Sequence, residues 1–143
     1  MRHLRQGRHL TVRPCPQDVA YILWSGDNSA HNVYEVTRHQ AIAANRAVTE
    51  LIQRTFPHAL VLPAVGNHDS HPVNSFPPPT IRGRYSNRWL FDALYRMWRP
   101  LLDGKLGHGH GHHHSFDDTF NPYGYYYVRV GCSGRGSDRV PSL

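Results

Sequence analysis

The sequence predicts an α/β domain, from two strand-like runs that end alike and from the helical pattern between them. Residues 19–25 are apolar nearly throughout and run into Gly26-Asp27-Asn28; residues 60–64 begin Leu60-Val61-Leu62-Pro63 and run into Gly66-Asn67-His68-Asp69. A short apolar segment that stops at glycine and then presents polar residues has the pattern of a buried parallel strand delivering side chains into a cleft. The helical pattern between them makes a β-α-β unit, whose two strands are expected to be parallel neighbours. Parallel pairing would bring Asp27 and Asn67 to the same carboxyl edge of the sheet, where open α/β folds bind ligands.

Taken in order, residues 1–17 are a basic lead-in without periodicity, holding four arginines and two histidines. The strand over 19–25 is apolar enough to be covered on both faces. Thr37 and Gln40 are spaced as a capping box that opens a helix over 38–55. Ala41, Ala44, Val48, Leu51, Ile52 and Thr55 recur at helical spacing as its inner face, with Arg46, Glu50 and Arg54 outward, and Pro57 stops it. After the second strand, the prolines of residues 71–79 fix φ and remove donors, which makes a rigid surface loop. Ser86 is placed to cap a helix over 87–99, whose face of Trp89, Leu90, Ala93, Leu94, Met97 and Trp98 reads as core, with Pro100 just beyond. Residues 107–114 are a Gly-His run, residues 125–130 resemble a last strand, and residues 131–143 carry no signal for order. The expected organisation is therefore a lead-in (1–17), one α/β domain (18–130) with the His/Gly-rich insert, and disordered termini.

A chain of 143 residues suffices for one domain with a real core. Its net charge of +6 points to anionic partners, but the charge is scattered rather than drawn into one stripe, so nucleic acid is not the expected partner. Two cysteines exclude a disulfide-built scaffold. Residues 1–10 are basic and lack the apolar stretch of a signal peptide, and no apolar run reaches membrane-spanning length.

The two tips carry the chemistry. Asn67 offers a neutral amide oxygen, His68 an imidazole that moves protons near neutral pH, and Asp69 a carboxylate able to hold that imidazole in one tautomer. Asp27 can bridge two divalent cations about 4 Å apart, with the Asn67 oxygen on one of them. His31 and His68 are the candidates for steadying phosphoryl charge and protonating a leaving alkoxide. A plain polar turn is the competing reading of either tip alone; the recurrence of the layout at two strand ends favours a site.

Gly26-Asp27-Asn28 with His31, followed by Gly66-Asn67-His68-Asp69, resembles two motifs of the calcineurin-like metallophosphoesterases. Residues 24–31, 63–69 and 72–79, together with Arg88-Trp89-Leu90, narrow the resemblance to the acid sphingomyelinase family. The proline-rich stretch favours that family over its nucleotide-cleaving phosphodiesterase relatives. The resemblance implies a partial metallophosphoesterase-type αββα sandwich. It makes Asp27 the carboxylate bridging two zinc ions and Asn67 an amide ligand to one of them. It assigns His68 to protonation of the departing ceramide oxygen and His31 to the phosphate. The implied reaction is hydrolysis of sphingomyelin to ceramide and phosphocholine at a membrane lipid surface, in a lysosomal or secreted setting.

The family's Asp-x-His motif has no counterpart before Val19, and Gly107-His108-Gly109-His110 imitates its Gly-His-x-His motif only inside a repetitive run that follows a helix. The chain is therefore expected to be a fragment, inactive alone. Two further readings stand beside it: a phosphodiesterase of the same family acting on nucleotides, and a non-catalytic His-rich metal-binding protein.

Overall fold

The computed structural model describes residues 19, 21–29, 32, 34–103 and 115–128. His31, the lead-in, the run over 107–114, residues 129 and 130 and the tail lie outside the described residues.

Strand β1 (Tyr21–Trp24) and strand β2 (Leu60–Pro63) pair in parallel, with Ile22 opposite Val61 and Trp24 opposite Pro63. Helix α1 (Arg38–Thr55) connects them. The β-α-β unit is thus present, and among the described residues the sheet has these two strands. The mixed α/β class is as expected; β1 differs in burial, being covered on one face. Ile22 and Trp24 pack toward the core while Tyr21 and Leu23 are 49% and 74% exposed. An apolar run cannot distinguish a strand covered once from one covered twice, because cover depends on what lies across the sheet.

The expected capping box opens α1: the Thr37 hydroxyl accepts from the Gln40 main-chain N–H, and the Gln40 side chain accepts from the Thr37 N–H. Its inner face departs from the expectation. The buried stripe is Ala41, Asn45 and Thr49, whereas Leu51 is 57% exposed and Thr55 is exposed. A buried asparagine is tolerated only when its amide is satisfied. Asn45 meets that condition at the tip of β2, so the helix turns a polar edge inward.

Helix α2 (Arg88–Leu102) supplies most of the core, with Leu90, Leu94, Trp98, Leu101 and Leu102 buried. Ser86 acts near its start, its hydroxyl accepting from the Arg88 N–H at 3.1 Å. The Asn87 amide donates to the Ser75 carbonyl, tying the proline-rich loop to the helix. The sequence places the helix end before Pro100, but α2 runs through it to Leu102. Proline inside a helix costs about 3 kcal/mol. Burying Leu101 and Leu102 returns roughly 1.5–3 kcal/mol each and outweighs it.

Phe116–Phe120 form one turn of π-helix that runs into α3 (Asn121–Tyr123). Phe116 and Phe120 stack at 4.6 Å and meet Trp98 and Tyr126, while Trp98 meets Trp24 edge-on at 5.4 Å. Of the strand predicted over 125–130, the described residues 125–128 carry a bridge at Val128, and residues 129 and 130 lie outside the described residues. Tyr127 pairs with Ser115, just before the π-helical turn, through Ser115 N–H to Tyr127 C=O at 3.1 Å and Tyr127 N–H to the Ser115 hydroxyl at 3.1 Å.

The Tyr126 hydroxyl donates to the Pro63 carbonyl at 2.8 Å and so anchors this last segment to the end of β2. Burial pushes its phenol well above the usual tyrosine range. A folded-state pKa above the unfolded value means this contribution is complete below about pH 10 and falls as pH rises through the alkaline range. Tyr95 is also raised, by its hydrogen bond to Asp117, so phenolate absorbance should show late titration that Tyr126→Phe shortens, and urea stability should decline above pH 10. Tyr126→Phe should flatten that decline at a cost of about 1 kcal/mol at neutral pH.

Candidate functional site

The strand tips meet through their backbones. Gly26 and Asp27 both adopt positive φ, at 76° and 59°. A Cβ on Gly26 would lie 2.3 Å from the Gly66 nitrogen, and one on Gly66 would lie 2.2 Å from Asp27 Oδ1. Only two glycines allow the turns to approach this closely.

Asp69 joins them. It is fully buried, and its Oδ2 accepts from the main-chain N–H of Gly66 at 2.9 Å and of Asp27 at 3.2 Å. Its Oδ1 accepts from the Asn28 N–H at 3.2 Å and from the Asn45 amide at 2.9 Å. The Asn45 oxygen in turn accepts from Asn28 Nδ2 at 2.9 Å, and Asn28 Oδ1 accepts from the Trp24 indole at 3.1 Å. The sequence pattern makes Asp69 a partner for the His68 imidazole; its hydrogen bonds instead go to these main-chain and amide donors, and its role is to lock one tip against the other.

On this frame Asp27, Asn67 and His68 come together. The Asp27 carboxylate accepts from the His68 main-chain N–H at 2.9 Å. The Asn67 amide sits between Asp27 and Asn74. With Nδ2 toward Asn74 it donates to Asn74 Oδ1 at 2.9 Å. Its oxygen then faces both Asp27 oxygens at 3.2 and 3.1 Å, and with the amide turned over Nδ2 donates to those oxygens instead. Turned over, the amide is satisfied at both ends without a metal; the first orientation gathers three oxygens with no proton between them, which only a cation beside them makes favourable. Oxygens sharing one tetrahedral zinc ion with bonds of about 2.0–2.2 Å lie about 3.3–3.6 Å apart, a little beyond these separations and within a small side-chain adjustment of them. The pair therefore fits the oxygen part of a divalent-cation site. Among the described residues no group of three or more His, Cys, Asp or Glu side chains is placed to hold a metal ion. His31 lies outside the described residues.

A cleft of about 880 Å³ opens elsewhere, lined by Phe76, Pro77, Arg82, Arg88, Asp117 and Tyr123 among others; Asp27, Asn67 and His68 are not in its wall. Asp27 and Asn67 are exposed, above the buried Asp69 frame.

The sequence reading missed Asn45 and Asn28. A signal for Asn45 was present: asparagine is a poor residue for the middle of a helix, and this one stands four residues from both Ala41 and Thr49.

Searching family models gives no match. Comparison with curated proteins gives sphingomyelin phosphodiesterase of Homo sapiens, 47% identical over 87 residues, or 61% of this chain and 14% of that protein. The chain is homologous to a segment of the sphingomyelin phosphodiesterases. Sphingomyelin phosphodiesterase A of Dictyostelium discoideum is 39% identical over 83 residues, 58% of this chain and 13% of the relative. Cyclic GMP-AMP phosphodiesterase SMPDL3A of Bos taurus is 33% identical over 92 residues, 64% of this chain and 19% of the relative. The chain thus spans about one seventh of the length of the sphingomyelin phosphodiesterases it matches.

Proposed function

We propose that this chain is a segment of a zinc-dependent phosphodiesterase that hydrolyses sphingomyelin to ceramide and phosphocholine. The observation that carries the proposal is the convergence of the Asp27 carboxylate and the Asn67 amide at 3.1–3.2 Å, in a chain whose relatives are sphingomyelin phosphodiesterases. Asp27 and Asn67 would hold the metal. Zinc, when bound, lowers the pKa of water enough to supply a nucleophile and draws charge from phosphoryl oxygens. Asp27, held by the His68 main-chain N–H, keeps its oxygens aimed at one point, and Asn67 adds a donor without adding charge. His68 delivers a proton to the ceramide oxygen as its bond to phosphorus breaks, and His31 steadies the phosphate. The substrate is a membrane lipid, and the complete enzyme works in the lysosome or outside the cell.

Asp27 and Asn67 are too few ligands to hold two ions at a working separation, so the isolated chain should not turn over sphingomyelin. The test is a chimera in which this chain's sequence replaces the matching segment of the human relative. The chimera should hydrolyse sphingomyelin with zinc at acidic pH. Asp27→Ala should abolish turnover, and His68→Ala should slow it by about a hundredfold or more with zinc content unchanged, the scale of losing a general acid. A folded, zinc-loaded chimera without sphingomyelin hydrolysis would overturn the proposal. Hydrolysis of a cyclic dinucleotide in its place would favour the second reading, which rests on the match to the cyclic GMP-AMP phosphodiesterase.

A further inference from the structure

Residues 70–91 carry no aspartate or glutamate, and within them the exposed Arg82, Arg84 and Arg88 alternate with exposed apolar side chains. We propose that this stretch, with the cleft it borders, is a docking face for the anionic surface of a lipid bilayer. The proposal rests on the reading of the substrate as a membrane lipid, which a docked enzyme meets in the plane of the bilayer.

The stretch is tied to the rest of the fold at both ends and in the middle. The Asn74 N–H donates to the Asn67 carbonyl at 3.1 Å, the Asn87 amide donates to the Ser75 carbonyl, and the Arg38 guanidinium donates to the Arg84 carbonyl at 2.6 Å. Between these ties, the Ile81 N–H donates to the Pro78 carbonyl at 3.0 Å and the Ser86 N–H to the Gly83 carbonyl at 3.1 Å, and three consecutive prolines fix φ. On this held main chain Phe76, Ile81 and Tyr85 remain 44%, 39% and 65% exposed. A single exposed apolar residue is ordinary. Three of them set among arginines make a surface of mixed character.

The positive charge is not consumed within the described residues. Among them, Arg82 and Arg84 make no salt bridge; Arg84 lies over the ring of its neighbour Tyr85 at 4.7 Å. Arg88 pairs with Asp92 at 3.8 Å on the surface, where such a pair contributes little. Across the cleft, Asp117 is engaged by Arg99 at 3.0 Å and by the Tyr95 hydroxyl at 2.8 Å.

Arginine alone suits any polyanion, and the apolar side chains decide for a bilayer. At the headgroup level guanidinium groups meet phosphates while aromatic and aliphatic side chains enter the acyl boundary. The phosphate backbone of a nucleic acid offers Ile81 no such counterpart. The face also begins two residues beyond the tie to Asn67, so docking brings the bilayer to the loop that leaves the strand tip.

The experiment is sedimentation of the full chain with phosphatidylcholine vesicles, with and without phosphatidylserine as about a third of the lipid, and with neither sphingomyelin nor zinc. The chain should bind the anionic vesicles. Arg82→Ala with Arg84→Ala should weaken that binding about thirtyfold, the scale of taking two arginines from an anionic surface. Arg46→Ala with Arg54→Ala removes the same charge from α1 and should change it less than about threefold. Phe76→Ser with Ile81→Ser should make the binding more sensitive to salt, since apolar insertion is not screened. In an otherwise unchanged chain, Tyr85→Trp should add emission that brominated acyl chains quench. Absence of vesicle binding, equal losses for the two arginine pairs, or no quenching at Tyr85→Trp would each overturn the proposal. Heparin binding that needs Arg82 and Arg84, with vesicle binding indifferent to Phe76 and Ile81, would make the face a general polyanion site instead. Vesicle binding by the chain that the human chimera lacks would mean that the rest of the enzyme covers the face, which also overturns it. Hydrolysis of detergent-dispersed sphingomyelin by the chimera tests the catalytic reading separately, because vesicle binding is measured without substrate.

Discussion

Asp69→Asn is expected to destabilise the chain by about 3 kcal/mol, which is large for a change of one atom. The carboxylate is fully buried, and all the partners described for it are donors: the N–H groups of Gly66, Asp27 and Asn28, and the amides of Asn45 and Asn28. Asparagine can accept on one side only, and on the other its NH2 group faces N–H groups. Leaving a buried donor unsatisfied costs about 1–3 kcal/mol, and hydrogen bonds to a charged acceptor carry about 1.5–3 kcal/mol. More than one is lost, with partial relief from relaxation. The two tips are held by this carboxylate, so broadening of the Asp27 and Asn67 amides by Mn2+ should weaken together with the urea midpoint. A loss below about 1 kcal/mol would mean that the tips are held by something other than Asp69.

Gly66→Ala should be at least as severe. The new methyl would sit 2.2 Å from Asp27 Oδ1 and 2.3 Å from the Asp27 nitrogen, so relief requires main-chain movement rather than a side-chain rotation. Gly26→Ala meets the Gly66 nitrogen at 2.3 Å and adds the strain of an L-residue at φ 76°. Each change should cost on the order of 3 kcal/mol or more, and since both open the same gap the double variant should cost less than their sum. Gly83→Ala is the control: its φ is 69°, but nothing lies within 4 Å of the added Cβ, so strain alone remains, at about 1 kcal/mol. Urea midpoints for the four variants measure the clash apart from the strain. Equal losses for Gly66→Ala and Gly83→Ala would show that the close approach of the tips is not what the glycines are for.

The parts of this protein legible in the sequence are those that neighbouring residues decide. Thr37 and Gln40 make a capping box because three residues bring them within reach, whatever surrounds them. The runs before Gly26 and Gly66 form strands, and the intervening helix makes them parallel neighbours, which brings Asp27 and Asn67 to one edge. His68 comes to the same edge because it follows Asn67. Pro100 marks where local reasoning gave out, since the burial of Leu101 and Leu102 that carries the helix past it depends on a core assembled from β2, α2 and residues 116–126.

Only the tertiary structure decided which residues hold the site. By sequence alone, Asn45 has no assigned role and Asp69 is a partner for its neighbour His68. In the fold they bond to each other across 24 positions, and Asp69 reaches 41 and 42 positions back to the N–H groups of Asn28 and Asp27. A pattern of apolar residues records where burial is favourable. The cost of burying a polar group is set by its partner, and that partner is known only once distant parts of the chain have been brought within about 3 Å of each other.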